Sequence, residues 1–573
     1  MLLYLLAALP AQIQFVDATE PLGLGGLSAA RVVLVDLNGD ARPDAVVDRA
    51  RVFLNQPGEG GQAVRFIEVE SPNLPAVNDG DCIVLADLDN DGKRDAIVTR
   101  NVTDKTDPVL PTAWCPGNGD GTFGEAMAIP AAAAKTTACV AVGDVNNDGL
   151  LDLYLGNWYT KYGESVEAFT NDLLIQRRGE GGAVEFVREA LPEDEFAFDE
   201  AMDAGGRPTY GAMILRLDAV QTQPVHTASI LELSYGRRWN RLWQVRGSNL
   251  DGPMWGDMAP ELHIDSDEIR HGRHPEWLKE RAKTDPRFDR SDEKPFRANG
   301  NTFDASIGDI NNDGKFDLLI TEITHAWAGE SSDRTRVLTL SDDGTFVRDD
   351  RYNLDRVPAD PGVHNWNQGD LFGQFADFDL DGRLDVLISS GDYPDDQRLR
   401  VWRQLEDGTL SDVTAWANLD NDGSAQISLA DIDLDGDVDV LVGQTFFRYS
   451  QAEKAGRTPT LKVYLNQAIE RHVGNSLVLL LEGDPARGVS RDALGAVVQV
   501  EVDGDGEGPG QSIVQMHQLI GIGGHAGKQM GFEVIAGLGA AAQAKHVLIW
   551  WPGLSEPTVL ENLPAGRLVV RPG

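Results

Sequence analysis

Six acidic nonapeptides of one design carry the chemistry open to this chain. They read DLNGDARPD from Asp36, DLDNDGKRD from Asp87, DVNNDGLLD from Asp144, DINNDGKFD from Asp309, DFDLDGRLD from Asp377 and DIDLDGDVD from Asp431. Each puts oxygen-bearing side chains at positions 1, 3, 5 and 9. These are Asp36, Asn38, Asp40 and Asp44; Asp87, Asp89, Asp91 and Asp95; Asp144, Asn146, Asp148 and Asp152; Asp309, Asn311, Asp313 and Asp317; Asp377, Asp379, Asp381 and Asp385; and Asp431, Asp433, Asp435 and Asp439. Position 6 is Gly in five loops and Ala41 in the first. Carboxylates crowded into so short a loop repel one another. At an effective dielectric of about 20, a pair about 4 Å apart costs about 4 kcal/mol. A hard cation removes that cost, and an all-oxygen shell on a tight loop suits Ca2+ better than zinc or copper. The loops predict about six bound Ca2+ ions.

The same 1-3-5 spacing opens an EF-hand, which also needs a Glu at position 12 and a helix after the loop. Position 12 is instead Val47, Val98, Leu155, Ile320, Ile388 and Val442. β-formers follow each loop, as in Ala45-Val46-Val47 and Leu318-Leu319-Ile320, and a short apolar run precedes it, as in Val33-Leu34-Val35. Each loop therefore joins two short buried strands.

The first loop residues fall at 36, 87, 144, 309, 377 and 431, with one gap too long for a single repeat. A degenerate copy fills that gap. Tyr210 to Asp218 reads as an inner strand ending in a first loop Asp, and Ser229 to Leu233 as the strand after a loop. Val220 and Thr222 occupy loop positions 3 and 5, so the cation site is lost there. A second hairpin follows in each unit, for example Val52 to Asn55 turning through Pro57 to Gly60 into Phe66 to Val69. Four antiparallel strands in about 50 residues is the period of a propeller blade. Gln14 to Thr19 resembles the fourth strand of a unit, whereas the seventh unit stops at its third strand, Leu461 to Asn466. The N-terminal strand is expected to complete the last blade and remove the open edge.

These loops, with turns such as Gly119-Asp120-Gly121-Thr122-Phe123, resemble the FG-GAP/VCBS repeats of integrin α-chain propellers. The resemblance spans 12–467 and implies an all-β, seven-bladed integrin-α-like β-propeller. In that family the side chains at positions 1, 3, 5 and 9 and the carbonyl at 7 bind Ca2+. Residues 470–573 resemble an ASPIC/UnbV domain, a small β-rich unit. The matching residues are Ser490 to Ala496, Gly537-Leu538-Gly539, Trp550 to Gly553 and Leu560 to Pro564. Gly523 to Lys528 departs from the usual Gly-Ser-aromatic pattern. Propeller plus this domain is the arrangement of the cartilage acidic protein family and of secreted bacterial relatives. That implies a secreted calcium-binding interaction protein of the adhesion type.

At 573 residues and 42% hydrophobic content, the chain can bury cores for a large and a small domain. Its net charge is −41, of which six divalent ions would offset about 12. A surface that stays acidic when loaded argues against nucleic acid and anionic membranes. No apolar run approaches the roughly 18 residues of a membrane-spanning helix. Residues 1–11 (MLLYLLAALPA) read as the tail of a truncated signal peptide. Secretion, extracellular or periplasmic, is expected, because extracellular calcium modules work at Kd values of about 10⁻⁴ to 10⁻³ M. Cys82 and Cys139 sit at equivalent inner-strand positions and are expected as buried thiols, with a bond from Cys115 to one of them left open.

All six loops should share one face. A charged insertion at about 251–300, with a short helix near 275–283, should rise from the other. Tyr235, Trp239, Trp243 and Trp255 could stack sugars or simply pack. His263, His271 and His274 with Asp265 lack a strong zinc spacing. There is no nucleophile elbow, phosphate loop or dinucleotide fingerprint. The sequence thus points to a module that binds an extracellular protein or glycan. The alternatives are an enzyme acting on a polysaccharide or secondary metabolite, with its site on the face away from the calcium loops, and a structural surface-layer component.

Overall fold

The computed structural model describes residues 13–48, 50–58, 63–75, 81–100, 111–132, 134–162, 166–197, 204–217, 228–236, 238–249, 252–265, 275–286, 289, 301–326, 333–358, 360, 362–364, 366–392, 397–419, 421–503 and 512–573. Residues 1–11, the degenerate loop positions Asp218, Val220 and Thr222, and His271 and His274 lie outside the described residues.

Seven four-stranded antiparallel blades run from Phe15 to Asn466. Their innermost strands are Val32–Val35, Ile83–Ala86, Thr137–Gly143, Thr209–Leu215, Thr302–Gly308, Gln368–Ala376 and Ser424–Ala430. These strands are buried along most of their length because a neighbouring blade covers each face. A hydrophobic cluster fills each gap between successive blades. Val33 and Leu37 meet Ile83 and Leu85, for example, and Leu215 and Leu231 meet Ala305 and Leu318. The last cluster sets Leu441 and Val463 of the seventh blade against Leu34 and Val47 of the first, which closes the ring.

Closure uses the N-terminal strand. Phe15–Asp17 pairs antiparallel with Lys462–Asn466, Phe15 opposite Asn466 and Asp17 opposite Tyr464. Phe15 is fully buried, edge-on to Phe378 at 5.6 Å. The degenerate unit is a full blade, Thr209–Leu215, Ser229–Ser234, Arg241–Asn249 and Gly252–Asp257. Its last strand shortens the expected insertion, which begins only after Asp257. The insertion contains a helical turn, Ala259–Leu262, and a helix, Glu276–Ala282, capped by Pro275.

The C-terminal part is two small sheets. In one, Asn475–Leu481 lies between Glu533–Gly539 (antiparallel) and Gly566–Val570 (parallel). The other runs Ser512–Gln518, Val497–Asp503, Gln543–Trp550, Thr558–Pro564. It does not stand apart from the ring, because Leu88 and Leu151 of the propeller share one hydrophobic cluster with Leu477, Leu494 and Val534. Cys82, Cys115 and Cys139 are buried thiols with no disulfide between them. Burial pushes the Cys115 thiol up to about 11.

Candidate calcium loops and the two faces of the ring

All six acidic loops connect the first and second strands of their blades and so lie on one face. Position 9 is a buried anchor. One oxygen of Asp44, Asp95, Asp152, Asp317, Asp385 and Asp439 accepts the position-2 N–H at 2.8–3.2 Å. The other accepts an N–H of the third strand, or for Asp95 of Gly117 just past it, at 2.7–2.9 Å. Position 1 closes the turn, as where Asp309 accepts the N–H groups of Asp313 (3.0 Å) and Gly314 (2.9 Å). Position 6 is left-handed, φ 81° at Gly314 and 64° at Ala41, which is why Gly dominates there. Position 4 is left-handed too, and Leu380 and Leu434 hold that conformation without being Gly or Asn.

The donor set fits a hard cation. Asp87, Asp89 and Asp95 bring one oxygen each within 4.8 Å of one another, as do Asp377, Asp379 and Asp385, and Asp431, Asp433 and Asp439. Buried Asp379 Oδ1 and Asp431 Oδ1 have no hydrogen-bond partner. The loops at Asp36, Asp144 and Asp309 carry an amide at position 3 (Asn38, Asn146, Asn311), so three carboxylates do not gather there in the same way. Burial, reinforced by neighbouring carboxylates, pushes Asp44, Asp309 and Asp431 up to about 8 and Asp95 and Asp317 to about 7. Without a cation Asp44, Asp309 and Asp431 are mostly protonated at neutral pH, and Asp95 and Asp317 about half so.

The loop face is where the C-terminal domain docks, which the sequence did not foretell. Asp492 is fully enclosed, accepts the N–H of Asp87 (2.7 Å) and pairs with Arg94 (2.8 Å). Arg491 N–H donates to Asn90 (2.8 Å), and Ser476 donates to the Gly436 carbonyl (2.6 Å). Arg567 pairs with Asp431 (2.7 Å) and Glu533 (2.6 Å). Of the C-terminal residues in these contacts, only Arg491 and Asp492 belong to a stretch with a readable signature.

From the same domain, residues 521–530 enter the centre of the ring. Gly524–His525 adds a short strand to Thr209–Leu215 of the fourth blade. Gly527, φ 66°, sits where a Cβ would meet Val84 at 2.8 Å. Lys528 is buried and binds Asp304 (2.7 Å) and the carbonyls of Ala305 (3.0 Å) and Gly373 (2.7 Å). Gln529 satisfies both backbone groups of Leu85, at 2.9 and 2.8 Å. The segment that breaks the family pattern is a plug fitted to this channel.

On the opposite face the channel mouth is aromatic. Trp158 lies 4.1 Å from Tyr210, 5.3 Å from Tyr235 and 5.8 Å from Tyr162, ring centre to ring centre. Tyr210 stacks on Phe303 at 4.6 Å and meets His525, the tip of the plug, at 4.8 Å. Tyr162 is 59% exposed. Arg31 and Arg448 are close enough to act on Tyr210 electrostatically. Of the four aromatics singled out in the sequence, Tyr235 joins this cluster. Trp243 packs in the core with its indole N–H on Glu232 (3.1 Å). Trp255 lines a separate pocket of about 680 Å³ with Glu193, Arg207 and Arg241. Both oxygens of Glu193 are taken, by Asn171 N–H (2.6 Å) and by Arg241. Both oxygens of Glu232 are engaged too, one by Tyr154 and Trp243 and the other by Thr209. These carboxylates clamp the third and fourth blades together.

The FG-GAP-like repeat family matches residues 87–155 and 377–442, each match starting at a first loop Asp and ending on the strand after the next loop. The ASPIC and UnbV family matches residues 486–571. No curated protein matches the chain. Among solved structures, an Agrocybe aegerita lectin recognising non-reducing terminal N-acetylglucosamine is 16% identical, covering 68% of this chain and 80% of its own, with a TM-score of 0.34. The exotype rhamnogalacturonan lyase YesX is 13% identical, covering 92% and 80%, with a TM-score of 0.33. The V. cholerae biofilm matrix protein Bap1 is 12% identical, covering 79% and 91%, with a TM-score of 0.30. Likeness this low transfers no activity.

Proposed function

We propose that this chain of FG-GAP-like repeats and an ASPIC/UnbV domain is a secreted, calcium-binding interaction module, extracellular or periplasmic, that takes a protein or glycan ligand on the face away from its calcium loops. The aromatic mouth of the channel carries the reading. The loop face is covered by the C-terminal domain, so a ligand is left the opposite face. There exposed Tyr162 and part-exposed Tyr210 and Tyr235, packed on the buried Trp158, offer flat apolar surface beside Arg31 and Arg448, the combination of aromatic walls and few polar groups that binding sites use. About six Ca2+ ions would hold the loops, drawing together carboxylates that otherwise keep protons and thereby stiffening the ring. Among the described residues no helix is long and apolar enough to cross a membrane.

The test is to present the calcium-loaded chain to an array of glycans and secreted proteins, then measure affinity for any hit with Tyr162→Ala. Tyr162 is exposed, so the variant should fold and lose about tenfold in affinity, about 1.4 kcal/mol. Unchanged binding would move the ligand away from the mouth. An enzyme working on a polysaccharide or secondary metabolite is the alternative. Its strongest foothold, Glu193 and Glu232, has its carboxyl oxygens committed to internal partners.

A further inference from the structure

The acidic loop of the seventh blade differs from the other five at position 7. Where they carry Arg42, Lys93, Leu150, Lys315 and Arg383, it carries Asp437. That carboxyl is fully buried, at 0% exposure. Its Oδ2 accepts the N–H groups of Ala468 (2.9 Å) and Ile469 (3.1 Å), in the segment 467–474 that leads from the last propeller strand to the C-terminal domain. Its Oδ1 is enclosed and has no partner.

Beside it lies a second gathering of carboxylates. Asp433, Asp435 and Glu470, the last on the same connecting segment, bring one oxygen each within 4.8 Å of one another. Asp433 also belongs to the gathering with Asp431 and Asp439, and the repeat pattern assigns both Asp433 and Asp435 to the loop's own ion, so the two sites share two residues. The Asp435 carboxyl is within hydrogen-bonding reach of both Glu470 and Asp437, and its Oδ2 is likewise enclosed without a partner. Arg567, the guanidinium that pairs with this loop, is taken up by Asp431 and Glu533. Three carboxyls thus gather within 4.8 Å, reaching out to a solvent-exposed Glu470 that leaves room for water, and the fully buried Asp437 lies against one of them, Asp435.

We propose that Asp433, Asp435, Asp437 and Glu470 form an additional Ca2+ site, with Asp433 and Asp435 bridging it to the ion of the seventh-blade loop. All donors are hard oxygens and the set mixes fixed and mobile carboxylates, which suits Ca2+ coordination. The ion would cross-link the propeller to the segment carrying Glu470, while Asp437 holds that segment's backbone with its other oxygen. Calcium at this place would therefore fix the seat of the C-terminal domain.

The experiment compares calcium titration of the full chain with that of Glu470→Gln, which alters an exposed residue, and of Asp437→Asn. At about 1 mM calcium Glu470→Gln should bind one ion fewer, or hold one ion at least about tenfold more weakly, with an unchanged melting temperature in EDTA. Calcium should also protect the exposed Arg471 peptide bond from trypsin in the unaltered chain and not in Glu470→Gln. Equal stoichiometry and affinity in that variant would overturn the site even if Asp437→Asn did not fold. Several ions bound with no difference in Glu470→Gln would remove only this site. No calcium bound at all would remove the proposed scaffold with it.

Discussion

At the level of single residues, the loop carboxylates look alike in sequence and do different work. Asp317 is fully enclosed and accepts N–H groups from Ile310 (3.2 Å) and Leu340 (2.9 Å), so it builds the blade before any ion arrives. Asp313 is partly exposed, and its Oδ1 accepts the Lys315 N–H at 3.0 Å within the loop. The two alanine variants should therefore separate. Asp313→Ala should lower stability by about 1–2 kcal/mol in calcium, the equivalent of roughly tenfold weaker binding, and change little in EDTA. Asp317→Ala strands two buried donors at about 1–3 kcal/mol each and should lose stability in both conditions. Denaturant melts of both variants, with and without EDTA, check this; equal behaviour in EDTA would contradict the division of roles. The residue types of the candidate ligand set were legible because their spacing repeats six times. The roles were not, since they depend on which oxygen meets the third strand. Nor was the left-handed Leu380 or Leu434 legible, where a β- or helix-favouring residue is held by packing instead of by propensity.

The elements were read with more success than the contacts between them. Period, turn chemistry and alternating apolar runs sufficed for the seven blades, and the orphan strand at Phe15 for their closure, because each is a local signal repeated or conspicuously missing. The plug left no such signal. Gly523 to Lys528 has no periodicity, and its conformation is dictated by channel walls from distant blades. One clue did exist: Asp304 places the one charged side chain in the buried strand Thr302–Gly308, and a buried charge requires a partner. Lys528 is that partner, at 2.7 Å. Lys528→Met should destabilise by about 3–5 kcal/mol by leaving Asp304 unpaired, and adding Asp304→Asn should recover part of the loss. The same strand logic applies at the other end. Phe15→Ala should cost about 3–5 kcal/mol, read from the urea midpoint, because the cavity opens between the closing strand and Phe378.

In the whole molecule, the acidic loops and the C-terminal domain meet at one face, so the charge state of the loops bears on the stability of the assembly. Without cations, the folded chain holds protons on carboxyls raised to about 6 at Asp144, about 7 at Asp95 and Asp317, and about 8 at Asp44, Asp87, Asp309 and Asp431. The unfolded chain releases these protons near pH 4. Between about pH 4 and 8 these carboxyls thus bind more protons in the native state than in the unfolded one, and their contribution to stability in EDTA falls as pH rises. His525 works in the opposite sense. Burial holds it neutral down to about 3, while the unfolded imidazole titrates near 6.5, so its contribution rises with pH only below about 6.5. The interval from about pH 6.5 to 8 therefore isolates the carboxylates. In EDTA the melting temperature should decline across it. In millimolar calcium the ion displaces the protons and the decline should vanish. The gap between the two melting curves should widen toward pH 8, with proton release on calcium binding measured by titration in two buffers of different ionisation enthalpy. A gap that stayed constant over this interval would mean the loop carboxyls are ionised before calcium arrives, and that proton displacement is no part of how the ions stabilise the ring.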